Sequence, residues 1–246
     1  MPHAGSTPGT AAASCDETLG LARLARGDLM DALQKTPGVR RAVKLTRTTR
    51  ETSVSVYLKI DGTGSSKVAS GFPFLDHFLE TLALHASFDL ELEVESGRPD
   101  LHHSAEDAGW ALGAALRQCL GHPAEPPEVG NRGEPVPERT LPVRRFGWAA
   151  IPFDEVLILI SVDLIGRPGF YLSPGGGLDH CDIQEFFKAF TGGLGATLHI
   201  QVLQDGNLHH KIECSAKALG RALREAVALD DRVKEISVKG KVTYQS

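Results

Sequence analysis

The chain has 246 residues, a formal net charge of −5, 41% hydrophobic residues and 23% charged residues. This length is ample for a buried core, as one large domain or two fused halves, and the acidic balance points away from nucleic acid or an anionic membrane as partner. No apolar run approaches the ~20 residues that span a bilayer, and Cys15, Cys119, Cys181 and Cys214 form no CxxC pair, as in a reduced, cytosolic protein.

Residues 1–15 are rich in Gly, Ser, Thr, Ala and Pro, and 16–35 hold one amphipathic pattern ended by Pro37-Gly38. This predicts a partly disordered leader over 1–40 with neither signal nor transit character. Arg41 to Ile60 reads as strand structure, with strict alternation from Thr52 and a hairpin signal at Asp61-Gly62. An apolar helix is predicted around Phe74–His85, a half-buried strand over Phe88–Val94, and a turn at Gly97-Arg98-Pro99. Residues 121–144 carry six of the fourteen prolines and read as a long loop. Beyond it come a buried strand over Phe153–Leu164, a turn at Gly166-Arg167-Pro168, a helix from Ile183 and a strand over Thr197–Leu203.

One pattern occurs twice, 107 residues apart. His102-His103-x-x-Glu106 is followed after four residues by Ala111-Leu112-Gly113-x-Ala115-Leu116-Arg117, and His209-His210-x-x-Glu213 by Ala218-Leu219-Gly220-x-Ala222-Leu223-Arg224. Repetition of so rare a string implies an internal duplication. The leucines at i, i+4 make each copy helical. Adjacent histidines then diverge by about 100° around the axis, so they cannot easily grip one ion together. Each pair is expected to serve two metals, with exchanged roles in the two copies; imidazole and carboxylate are ligands that transition metals favour.

These motifs resemble the imidazoleglycerol-phosphate dehydratase family over residues ~41–240. The resemblance rests on Arg47-x-Thr49-x-Glu51-Thr52, Phe74-Leu75-Asp76-His77-Phe78-Leu79 with His85, the two HHxxE copies, Arg145-Phe146-Gly147, Asp154-Glu155, Asp163-x-x-Gly166-Arg167-Pro168 and Thr197-Leu198-His199-Ile200. It implies a Mn²⁺-dependent lyase of histidine biosynthesis that removes water from a small imidazole-bearing phosphate ester. Metal bonds to the ring nitrogens would withdraw charge and favour an imidazolate-like intermediate.

Carried onto this chain, the resemblance makes His77, His102, His103, Glu106, His209, His210 and Glu213 metal ligands for two ions. Glu51 matches the acid/base glutamate, with Glu106 and Glu213 also at the catalytic centre. His77, His85 and Asp154 fall in the substrate site, and Arg145, Arg167, Ser237 and Lys239 are the expected phosphate contacts. His199 is read as a core or supporting histidine. The family's eighth ligand histidine falls on Glu185, 24 residues before His209 as His77 lies 25 before His102; His180 is the other candidate. The family's glutamine four residues after the first helix histidine is Thr81 here.

The expected fold is α+β: half-domains 41–120 and 145–246, joined by the 121–144 loop into one compact domain. Each is a small, mostly antiparallel sheet with helices on one face. The resemblance implies a symmetric homo-oligomer of about 24 subunits with metal sites at subunit contacts. The alternative is a metal-binding paralogue without turnover that serves as a structural or regulatory assembly.

Overall fold

The computed structural model describes residues 41–122, 141–173, 178 and 182–233. The leader, most of the Pro-rich loop, His180, Ser237 and Lys239 lie outside the described residues. In order come β1 (Ala42–Thr48), β2 (Thr52–Lys59), β3 (Ser66–Ala69), α1 (Pro73–Ala86), β4 (Asp89–Ser96) and α2 (Leu101–Cys119). The same series follows as β5 (Phe146–Phe153), β6 (Val156–Asp163), β7 (Gly169–Leu172), α3 (Asp182–Leu194), β8 (Thr197–Gln204) and α4 (Leu208–Ala226). None of these helices is long and apolar enough to cross a membrane.

The two sheets have the same order, β1-β2-β4-β3 and β5-β6-β8-β7. Two of the three pairings in each are antiparallel; β3 and β7 run parallel to β4 and β8. A helix makes the crossover that a parallel neighbour requires. On the central strands the pleat buries Thr52, Val54, Val56 and Leu58, and in the second half Val156, Ile158, Ile160 and Val162. The buried faces match at an offset of 104, so Glu51 and Glu155 are equivalent turn positions.

Helices α1 and α2 pack on the first sheet, α3 and α4 on the second, and the helices then pack across the halves, α2 on α3 and α1 on α4. The helices therefore lie between the sheets. The repeated ALG glycine makes these crossings possible. A Cβ at Gly113 would sit 2.4 Å from the Phe190 carbonyl, and one at Gly220 2.6 Å from that of Leu82. Phe78 of α1 and Phe186 of α3 meet edge-to-face at 5.1 Å on the midline. Each such fully buried ring contributes about 1.5–3 kcal/mol.

The structure corrects two sequence expectations and adds two strands. Asp61-Gly62 is not a hairpin turn, because β4 lies between β2 and β3; the Asp-Gly opens the connection to β3, and Gly62 packs on Asp89. The second half has a hairpin, β5–β6, turning at Asp154-Glu155, where one strand from Phe153 was expected. Strands β3 and β7 have four residues each, too few for alternation to register.

Candidate active site

Both histidine pairs lie in the first turn of a capped helix. The Asp100 carboxylate caps α2 by accepting the His103 N–H at 3.0 Å, and the Asn207 side-chain oxygen Oδ1 caps α4 by accepting the His209 N–H at 2.8 Å. Capping fixes the helix start and hence the direction of the rings that follow. Neighbouring rings part, with planes 83° apart for His102 and His103 and 64° for His209 and His210.

The first histidine of each pair turns toward the other half. His209 Nε2 lies 3.6 Å from Glu213 Oε2 one turn along α4, and His77 Nε2 of α1 reaches the same oxygen at 3.4 Å. Two imidazoles and one carboxylate from the two halves thus converge. Burial raises the Glu213 carboxyl, but Lys217, at 3.0 Å, and His77 outweigh it and hold it below the usual carboxylate range. His102 Nδ1 faces Asp182 of α3 at 3.7 Å. Glu106 stands one turn further along α2, half-buried.

The second histidine of each pair turns to the hairpin of its own half. His103 Nε2 lies 3.8 Å from Glu51 Oε2. His210 Nδ1 lies 2.9 Å from Glu155 Oε2, and its Nε2 lies 3.8 Å from Asp154 Oδ2. Asp154, Glu155 and His210 offer ligand atoms within 4.8 Å of one another, a spacing that suits one metal ion. The Glu155 carboxylate accepts the Asn207 N–H at 2.7 Å. That bond, with the His210 contact, draws its pKa down to about 2.

Glu185 stands in the register of His77. Burial along α1 and α3 matches at an offset of 108, with Leu75, Phe78, Leu79 and Leu82 matched by Ile183, Phe186, Phe187 and Phe190. Its carboxylate accepts a hydrogen bond from Lys188 at 2.7 Å. Of the expected phosphate contacts, Arg145 is bound to Asp163 through Nε at 2.6 Å and Nη2 at 2.9 Å, from a left-handed backbone (φ 74°). Arg167 is exposed. His85 ends α1, two turns beyond His77; partial burial, then Lys217 and Arg221, lower its pKa from 6.5. His199 stacks on Tyr171 at 4.6 Å on the outer face of the second sheet, away from the buried face it was expected to support.

Sequence reasoning passed over Glu155, Asp182 and Lys217. Glu155 carried a usable signal, because it sits where Glu51 sits once the strands are aligned. Asp182 and Lys217 carried none: their duplication partners are Phe74 and Trp110.

A family model described as imidazoleglycerol-phosphate dehydratase matches residues 70–223. An imidazoleglycerol-phosphate dehydratase of Methylobacterium radiotolerans is 40% identical over 199 residues, covering 78% of this chain and 93% of that protein. One from Geobacter sulfurreducens is 36% identical over 210 residues, covering 82% and 99%. Among solved structures, the Pyrococcus furiosus enzyme in complex with (S)-C348 is 31% identical with a TM-score of 0.62, covering 80% of this chain and all of that one. The Staphylococcus aureus enzyme is 26% identical with a TM-score of 0.60, covering 77% and 99%. The sheets, the paired helices and the sequence together place this chain in the imidazoleglycerol-phosphate dehydratase family of lyases.

Proposed function

We propose that this chain converts imidazole glycerol phosphate to imidazole acetol phosphate in histidine biosynthesis. The carrying observation is the convergence of His77, His209 and Glu213 from both halves. In the overall change the hydroxyl leaves the carbon attached to the ring, a proton leaves the next carbon, and the resulting enol becomes the ketone. Glu51, exposed beside His103, takes the proton.

The donor set, imidazoles and carboxylates with open sides, suits a divalent ion of the Mn²⁺ class, about two per chain. His77, His209 and Glu213 would hold one ion; His102, Glu106 and Glu185 form the counterpart set by duplication. His103 and His210, turned from α2 and α4 toward Glu51 and Glu155, are the remaining imidazoles that the family resemblance makes ligands. A bound ion supplies charge withdrawal from the substrate ring. Arg145, Arg167, Ser237 and Lys239 are the phosphate side, with Arg145 oriented by Asp163; Asp154 and His85 border the substrate.

The family resemblance implies a cytosolic homo-oligomer of about 24 copies, and the outer face of the second sheet offers a surface for such a contact. Trp148, Ser161, His199 and Tyr171 form one row across its four strands, and Trp148 is 62% exposed. Exposed Trp and Tyr rings are the side chains enriched at interfaces.

The test is incubation of the purified chain with Mn²⁺ and imidazole glycerol phosphate, with detection of the keto product. Product formation supports the lyase. No product from protein that retains metal would leave the non-catalytic assembly as the reading.

A further inference from the structure

The Arg47-x-Thr49-x-Glu51-Thr52 motif has one glutamate at its turn, and its three other named side chains all bind a single buried carboxylate. That carboxylate is Asp107 on α2, 6% exposed. Arg47 Nη1 and the Thr52 hydroxyl both donate to it in short contacts. The Thr49 hydroxyl donates to it at 3.2 Å, and Thr49 Oγ1 in turn accepts the backbone N–H groups of Glu51 and Thr52, each at 3.1 Å. Ser96 fastens the other side of the turn, its hydroxyl donating to the Glu51 carbonyl at 3.2 Å. The Glu51 side chain takes no share in this network. It is 58% exposed and lies 3.8 Å from His103.

Asp107 and His103 are one turn apart on α2. The helix that presents the imidazole therefore also anchors the turn that presents the carboxylate. A buried carboxylate needs its donors, and charge-assisted bonds hold geometry tightly.

The duplicated half shows what this anchor replaces. The position of Asp107 is occupied by Cys214, whose thiol donates to the Ile151 carbonyl at 3.0 Å. The positions of Arg47, Thr49 and Thr52 are Ile151, Phe153 and Val156, so the polar network is missing there. The turn carboxylate itself does the fastening: Glu155 is tied to the Asn207 N–H and to His210. One half spends its turn glutamate on structure; the other fixes its turn by Asp107 and leaves Glu51 free.

We infer that Asp107 is the positioning residue for Glu51, seating its carboxylate against His103 for proton transfer. This rests on the dehydratase reading given above. Asp107→Asn keeps the shape and removes the charge that draws Arg47 and both hydroxyls. It should lower kcat by about 10–100-fold, since a misplacement of ~1 Å can cost about 100-fold, while KM and bound metal hold. In an Glu51→Gln background the same substitution should cost nothing more, because the group it serves has gone. Thr52→Val provides the same test should Asp107→Asn fold poorly. Amide exchange at Glu51 and Thr52 should quicken in both variants, while the α2 backbone keeps its protection.

Equal loss of kcat with and without Glu51 would overturn the inference and make Asp107 a residue of general stability. Unchanged exchange at the turn would also overturn it. Absence of turnover in the unaltered chain would count against the dehydratase reading alone; exchange would still report whether Asp107 holds the turn.

Discussion

His77 and Glu213 belong to opposite halves of the chain, and their side chains meet at 3.4 Å. Neither half alone can assemble this set, since α1 brings one imidazole and α4 brings the other with the carboxylate. On the proposed two-ion reading, His77→Ala or Glu213→Gln should each reduce bound divalent metal from about two per chain toward one. Elemental analysis after dialysis gives the count. Added Mn²⁺ should also raise the melting temperature less in each variant than in the unaltered chain, because fewer ions bind the native state.

Glu155 gives a pH dependence with a definite sign. Its folded pKa of about 2 lies below the usual 4.5, chiefly through the Asn207 N–H. A carboxyl depressed in the folded state contributes stability above its unfolded pKa, and that contribution is lost as pH falls through the folded value. In metal-free protein, Glu155→Gln should melt lower than the unaltered chain at neutral pH. The gap should close between about pH 4.5 and pH 2. A gap constant down to that acid limit would mean that the bonds to Asn207 and His210 do not hold in solution.

Gly113 tests the packing of the helices between the sheets. An added Cβ would sit 2.4 Å from the Phe190 carbonyl and 2.8 Å from the Leu194 nitrogen, both backbone atoms. Neither can swing aside as a flexible side chain would. Gly113→Ala should cost about 1–3 kcal/mol or more by overpacking, even though Ala is the better helix former. Denaturant unfolding measures it. The same change at Gly97, which has nothing within 4 Å, should be nearly neutral.

Much of this arrangement was legible in the chain, for identifiable physical reasons. The two ALGxALR copies announced the helices and the duplication, and the 100° step between neighbours required His102 and His103 to part, as their rings do. The short strands β3 and β7 were illegible because four residues carry too little period. The β5–β6 hairpin was missed because its turn, Asp154-Glu155, has no glycine to mark it, so the strand expected from Phe153 runs straight through the turn. Asp107 stood in plain sight after Glu106, but only the fold reveals that Arg47, Thr49 and Thr52 all converge on it.

The outer faces of the two sheets have diverged, and this bears on assembly. Lys44, Tyr57, Glu91 and Lys67 form the row of the first sheet that corresponds to Trp148, Ser161, His199 and Tyr171 in the second. The first row sets three charges around Tyr57; the second has no acid, lysine or arginine and carries Trp148 and Tyr171 with His199. Trp148→Ser should shift the chain to smaller assemblies in light scattering, because large aromatics dominate the energetics of interfaces. Lys44→Ser should act less, since an exposed charge is worth little. An unchanged mass for Trp148→Ser would place the contact elsewhere.

Cys119 and Cys214 should be chemically silent. Burial pushes the Cys119 thiol up to about 12, and burial also raises Cys214. The thiolate is the reactive form, so at mildly alkaline pH an alkylating reagent should leave both unmodified in the folded chain. Mass mapping after unfolding should find them fully labelled. Labelling of Cys214 in the native state would show that α4 opens from β5, where its thiol meets the Ile151 carbonyl.

On the proposed two-ion reading, Glu185 decides whether the set with His102 and Glu106 is complete. The matched burial of α1 and α3 gives it the position of His77. Its carboxylate, however, is engaged by Lys188 at 2.7 Å, and the Lys188 position corresponds to Glu80 in α1. A divalent ion must compete with that ammonium. An exposed pair of this kind is worth about 0–1 kcal/mol, so the competition weakens metal binding by a few-fold at most. Lys188→Ala should therefore tighten one of the two ions by about two- to five-fold, read by metal titration. Glu185→Ala should loosen the same ion, whereas Glu185→His, which restores an imidazole, should retain it. A hard ion such as Mn²⁺ accepts either ligand, but a neutral imidazole leaves more charge on the metal to act on the substrate. Glu185→His should for that reason equal or exceed the unaltered chain in turnover. If none of the three substitutions moves the titration, Glu185 lies outside the ligand set.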